Sequence, residues 1–173
     1  MNKRTPRYLI LALLVASAVS ARANMIFFTA HLDGAQDSVL TSATGFGTVL
    51  LNDVADTITV NESWTGLTAP ATATHIHGPA TPGSNAPVIF PFSGVPNTTS
   101  GSIPQQVFSI TGAQITELEA GLFYFNVHDA NFPGGEIRGQ ISQAPDGGPG
   151  IAGLLTIATV CVLPYLRRRR AAA

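Results

Sequence analysis

Between residues 24 and 143 apolar and polar positions alternate with a period of two, in short runs broken by Gly, Pro, Asn and Asp. Successive side chains of an extended strand point to opposite faces, so this pattern predicts half-buried strands. The first run is 26–33, with Phe28, Ala30 and Leu32 on one face and His31 on the other, toward solvent. Runs 44–52 and 56–64 flank Asp53-Val54-Ala55, which reads as a hairpin turn. In the second of these Ile58, Val60 and Trp64 share a face that Glu62 interrupts. Shorter runs lie at 72–77, 88–92 and 107–110, and two more, 122–128 and 135–142, flank the turn 129–134. Only 112–120 has helical spacing, with Ile115, Leu118 and then Leu122 facing inward. Strands at this spacing with one short helix predict an all-β, antiparallel Greek-key sandwich or barrel, with the Pro/Gly/Ser-rich stretches 78–87 and 93–105 as loops at its ends.

Both ends of the chain break the alternation. Residues 1–23 have a basic start, an apolar run from Tyr8 to Val19, and Ala21-Arg22-Ala23. That is the layout of a secretory signal peptide, with cleavage by signal peptidase expected after Ala23. At the other end, residues 144–173 begin with Ala144, Pro145, Asp146, Gly147 and Gly148, pass into the apolar run 151–166, and end in Arg167–Arg170 and three alanines. Sixteen helical residues reach about 24 Å, short of the roughly 30 Å hydrocarbon core, and Pro164 weakens the segment as a permanent span. Both basic clusters would stay on the cytoplasmic side, which leaves the middle of the chain outside.

Charge follows the same division. The ten acidic residues run from Asp33 to Asp146, and between the two basic ends the only lysine or arginine is Arg138, a net −9. Such a surface repels phosphate backbones, which excludes nucleic acid as a partner. The only cysteine, Cys161, lies in the C-terminal apolar run, so neither a disulfide framework nor a thiolate zinc site is available.

Three of the four histidines fall in two strand ends. His75 and His77 project from one face of their strand, a spacing that can place two imidazoles on one metal ion. His128 ends a strand in which Phe123, Phe125 and Val127 face the core and Tyr124, Asn126 and His128 face away. In the next strand Ile137 and Ile141 go to the core, while Glu136, Arg138 and Gln140 go to the side of Asn126 and His128. Asn126, Glu136 and Arg138 are therefore expected to form a structural polar cluster. Arg138 should pair with a carboxylate, either Glu136, in an ion pair that pins strand register, or an acidic loop residue. No phosphate loop, nucleophile elbow or zinc-protease helix occurs, so no catalytic residue is assigned. The sequence establishes no cofactor; copper or zinc, held by His75, His77 and His128, is what the histidine pattern admits.

The blocks His75-Ile76-His77-Gly78-Pro79-Ala80 and Asn126-Val127-His128, followed by Pro133-Gly134-Gly135-Glu136-Ile137-Arg138-Gly139-Gln140, resemble the CHRD (chordin) domain in its bacterial exported form. The resemblance spans about residues 26–142, and places the domain at 24–143. It departs from the family at Asp37-Ser38-Val39 and at Asp129, both at loop edges. It implies an immunoglobulin-like or superoxide-dismutase-like sandwich and no established catalytic activity. The C-terminal end resembles sorting tags of the PEP-CTERM and VPDSG-CTERM type, which implies an exosortase-like processing enzyme and membrane contact through the tail before processing. The expected function is that of an exported protein of the cell envelope, cell surface or extracellular matrix, acting as a non-enzymatic binding or structural module for an unidentified ligand. The alternative is a copper- or zinc-binding envelope protein using the three histidines.

Overall fold

A computed structural model describes residues 24–145. The signal segment with Ala23, and Asp146, Gly147, Gly148 and the rest of the C-terminal tag, lie outside the described residues; Pro145 is exposed at their edge. No helix among the described residues is long and apolar enough to cross a membrane.

The alternating runs form two antiparallel sheets packed face to face. The first contains β1 (Met25–Leu32), β2 (Thr44–Asn52), β3 (Thr57–Thr65), β6 (Gly101–Ser102), β7 (Gln106–Ser109) and β10 (Ser142–Gln143). Its order is β10-β1-β2-β3-β6, and β7 pairs with the other end of β3. The second contains β4 (Ala71–His77), β5 (Val88–Pro91), β8 (Tyr124–Asp129) and β9 (Ile137–Gln140), in the order β5-β4-β8-β9. The helix α1 (Gly112–Glu119) starts at Thr111, whose hydroxyl and backbone N–H exchange hydrogen bonds with Gln114 in a capping box; Leu118 is buried and Ile115 packs partly against the core.

Phe28, Leu32, Val49, Leu51, Ile58, Val60 and Trp64 of the first sheet meet Ile76, Phe125, Val127 and Ile137 of the second, all at most 3 % exposed. The alternation of the first sheet thus reads out directly as core and solvent. Glu62 is the exception. It occupies an inward position of β3 and is 2 % exposed, in contact with Thr74 of the opposite sheet.

Two expectations change. The run 135–142 is not one strand: β9 ends at Gln140, Ile141 is buried, and the chain continues as β10 in the other sheet beside β1. The crossing is possible because the sheets touch along this edge, where Asp33 and Arg138 exchange backbone hydrogen bonds of 3.1 and 2.9 Å. Gly139 lies against the His31 carbonyl there, and a Cβ would collide with it. The second change concerns residues 78–87, which do not stay at the end of the sandwich. Together with residues 33–43 they fold over the outer face of the second sheet, so that all six residues of β8 are buried.

Candidate metal centre

The outer face of β4 and β8, roofed by these loops, carries the histidines. In the antiparallel register Ala73 faces His128, His75 faces Asn126 and His77 faces Tyr124. His75 and His77 are therefore neighbours along one strand face, and His128 is diagonal to His75 on the adjacent strand. The ring centroids are 5.5 Å apart for His75 and His77, 5.0 Å for His75 and His128, and 5.9 Å for His77 and His128. Each ring offers a nitrogen within 4.8 Å of the other two. Nitrogens bound tetrahedrally at about 2.1 Å lie roughly 3.4 Å apart, so ring rotations of about an ångström would close the group on one ion.

Hydrogen bonds select which nitrogens are free. His77 Nδ1 lies 2.9 Å from the Ala86 carbonyl and His128 Nδ1 lies 3.0 Å from the Pro133 carbonyl. A carbonyl can only accept, so each Nδ1 carries the proton and each Nε2 keeps its lone pair. Both Nε2 atoms, and Nδ1 of His75, are buried without a partner. Burial pushes all three imidazoles down toward the neutral form, His75 to about 4, where His128 and His77 also act against its charge. Arg138 acts in the same direction on His77 and His128, while their carbonyl bonds oppose it. Three clustered imidazoles pushed toward the neutral form, each with an unpartnered nitrogen, are a donor set that copper or zinc takes.

The surrounding side chains hold the loops that hold the histidines. Tyr124 stacks flat on His77 at 5.0 Å, and its hydroxyl accepts the Ala86 N–H at 3.0 Å, next to the carbonyl that orients His77. The Arg138 guanidinium lies over the Tyr124 ring, 4.2 Å from its centroid. It pairs with Asp37 at 2.7 Å and donates to Asn85 Oδ1 at 2.6 Å and to the Ser84 carbonyl at 3.2 Å. One buried arginine thus ties residues 33–43 and 78–87 to the second sheet. Burial raises the Asp37 carboxyl, and Arg138 followed by His77 pull it back down.

The expected polar cluster of Asn126, Glu136 and Arg138 separates into distinct contacts. Arg138 pairs with the loop carboxylate Asp37 and makes no ion pair with Glu136, which lies ahead of β9 and turns away. Glu136 accepts from Thr41 Oγ1 at 2.6 Å and from the Thr68 N–H at 2.9 Å. Asp129 beside it accepts the Ala69 N–H at 2.8 Å and the Phe132 N–H at 2.6 Å. Burial alone would raise the Asp129 carboxyl; the neighbouring Glu136 carboxyl and hydrogen bonds from Phe132, Thr68 and Ala69 together hold it low. Asn126 donates to the Gly134 carbonyl at 3.0 Å. Gly135, at φ 120°, fits because a side chain there would occupy the place of the Asn126 amide. The loop 130–136 that supplies the Pro133 carbonyl is therefore pinned at both ends. Gln140 secures the far side by donating to the Ala80 and Gly121 carbonyls at 2.9 and 2.6 Å.

Glu136, Arg138 and Gln140 thus each tie a loop to the second sheet. A family model for the CHRD domain matches residues 28–141. The chain belongs to the CHRD domain family. No curated protein and no solved structure matches it. CHRD membership supports a binding or structural module. The fourth histidine, His31, stands on the exposed face of the first sheet, 5.1 Å from the Phe46 ring, outside the group. Thr41, Thr68 and Ala86 join the site without any mark in the sequence. Tyr124 shares the strand face of His128 and was within reach of the alternation argument; the loop contacts had no periodic signal.

Proposed function

We propose that this CHRD domain is a metal-binding module of an exported protein, and that it holds one Cu²⁺ or Zn²⁺ ion through His75, His77 and His128. The observation that carries the proposal is the cluster of three imidazoles, which bring one nitrogen each within 4.8 Å of one another and each hold a buried nitrogen without a partner. Burial of lone pairs without partners costs free energy, and a metal ion would recover it. Metal-bound histidines commonly donate their other ring N–H to a carbonyl, as the Nδ1 of His77 and of His128 does here. The role is binding rather than catalysis.

Isothermal titration of the chelator-treated protein tests it. One equivalent of Cu²⁺ or Zn²⁺ is expected to bind, and His75→Ala or His128→Ala to abolish uptake. No heat at micromolar metal leaves only a structural role for the histidines.

Export, through a signal peptide cleaved after Ala23 and a tag removed by an exosortase-like enzyme, is part of the same proposal. It rests on the layout of residues 1–23 and 144–173, and would place the module at the cell envelope, surface or matrix. Mass spectrometry of the protein from its native host is expected to find neither the first 23 residues nor Arg167–Arg170. Retention of the arginines would make the tail a simple anchor.

A further inference from the structure

Among the described residues no cysteine, carboxylate or further histidine joins the three-histidine group. On its face Asp37 pairs with Arg138 through Oδ1 at 2.7 Å, the Tyr124 hydroxyl accepts the Ala86 N–H at 3.0 Å, and the Asn126 amide N–H donates to the Gly134 carbonyl at 3.0 Å; Asp37 Oδ2 and Asn126 Oδ1 are buried without partners, and Asp37 is not part of the group. A copper or zinc ion bound by three imidazoles takes at least one more donor, and sites of that kind keep the position for an exogenous ligand.

Charge indicates which ligand. Neutral imidazoles leave a divalent ion its full charge. Of the two roof carboxylates, Asp33 is exposed and accepts the Ala35 N–H, and Asp37 is set against Arg138, so that pair adds little net charge. An uncompensated cation in a partly buried site favours an anion over a neutral donor. Access is asymmetric. His77 and His128 are each 9 % exposed, whereas His75 is only half-buried, so the route from solvent runs past His75. The roof of residues 33–43 and 78–87, clamped by Arg138, limits the size of what enters.

We infer that the metal centre takes a small monodentate anion, of hydroxide, halide or azide size, as its fourth ligand on the His75 side. The inference rests on the metal-binding reading and adds to it an open, anion-accepting position.

The test is to load the full protein with Cu²⁺ and titrate it with sodium azide while recording the absorption spectrum. One copper per chain is expected, with an azide-to-copper charge-transfer band that saturates at one azide per copper. His31→Ala is expected to keep the band. His128→Ala is expected to lose it together with the copper, and His75→Ala serves the same purpose if His128→Ala fails to fold. Copper bound without an azide band overturns the inference and leaves the metal reading standing. Absence of copper uptake overturns both. A band that persists in both His128→Ala and His75→Ala, or that is lost in His31→Ala, places azide on copper elsewhere on the surface and overturns the inference as well.

Discussion

The outer faces of the two sheets follow one sequence rule to opposite results. On the first sheet the outward positions of β1 to β3 include Thr29, His31, Phe46, Thr48, Asn61 and Ser63, and they reach solvent. On the second sheet the outward positions of β8 are Tyr124, Asn126 and His128, and they are as buried as the apolar residues between them. Both sheets alternate, yet a polar residue marks solvent in one and a second, polar interior in the other. The difference comes from two loops and one arginine. Residues 33–43 and 78–87 supply the roof, and Arg138 ties them down through Asp37, Ser84 and Asn85.

Breaking the clamp should have the largest effect. Arg138→Ala leaves the Asp37 carboxylate under the roof without its partner, and a loss of about 3–5 kcal/mol in denaturant unfolding is expected, with weakened metal uptake. A loss below about 1 kcal/mol would show that the roof is not held by this pair. Next in size is Gly135→Ala, which demands φ 120° of an L residue and displaces the Asn126 amide. It should cost on the order of 2–3 kcal/mol and disturb the loop that orients His128.

Between the sheets Glu62 offers a different break. Burial pushes its carboxyl up to about 8, with the Thr74 hydroxyl opposing the rise. The folded protein therefore holds a proton that the unfolded chain releases near pH 4.5, and stability falls as pH rises from there through about 8. Glu62→Gln should flatten that dependence and add roughly 1–3 kcal/mol at pH 8, read from thermal or urea unfolding across pH. An unchanged pH slope would contradict a neutral carboxyl at this position.

Smaller effects sharpen the contrast of the two faces. Tyr124→Phe removes the hydroxyl that accepts the Ala86 N–H, and about 1 kcal/mol of stability and a several-fold loss of metal affinity should follow. On the first sheet Thr48→Ala or His31→Ala should stay within about 0.5 kcal/mol and leave metal binding unchanged.

The sequence made the strands legible because the first sheet has one wet face and one dry face. Phe28, Leu32, Ile58, Val60, Trp64, Ile137 and Ile141 are buried as their spacing implied. The pattern could not show what covers the other face of the second sheet, since a roof made of loops has no period. It also hid the break between β9 and β10, where alternation continues through Ile141 while the strand changes sheets. Glu62 was visible as an interruption but not as a buried neutral acid, because Thr74, which contacts it, lies on the opposite sheet. The histidines were legible as a pair on one strand and a single residue on another. Their approach to one another depends on strands β4 and β8 being neighbours, a matter of topology.

The most direct test of the metal centre is anomalous diffraction from crystals of the copper- or zinc-loaded protein. One peak is predicted, about 2.0–2.2 Å from nitrogens of His75, His77 and His128 once their rings close on it. Strong metal peaks only elsewhere, or none after soaking, would contradict the account and leave these three histidines as part of the fold alone.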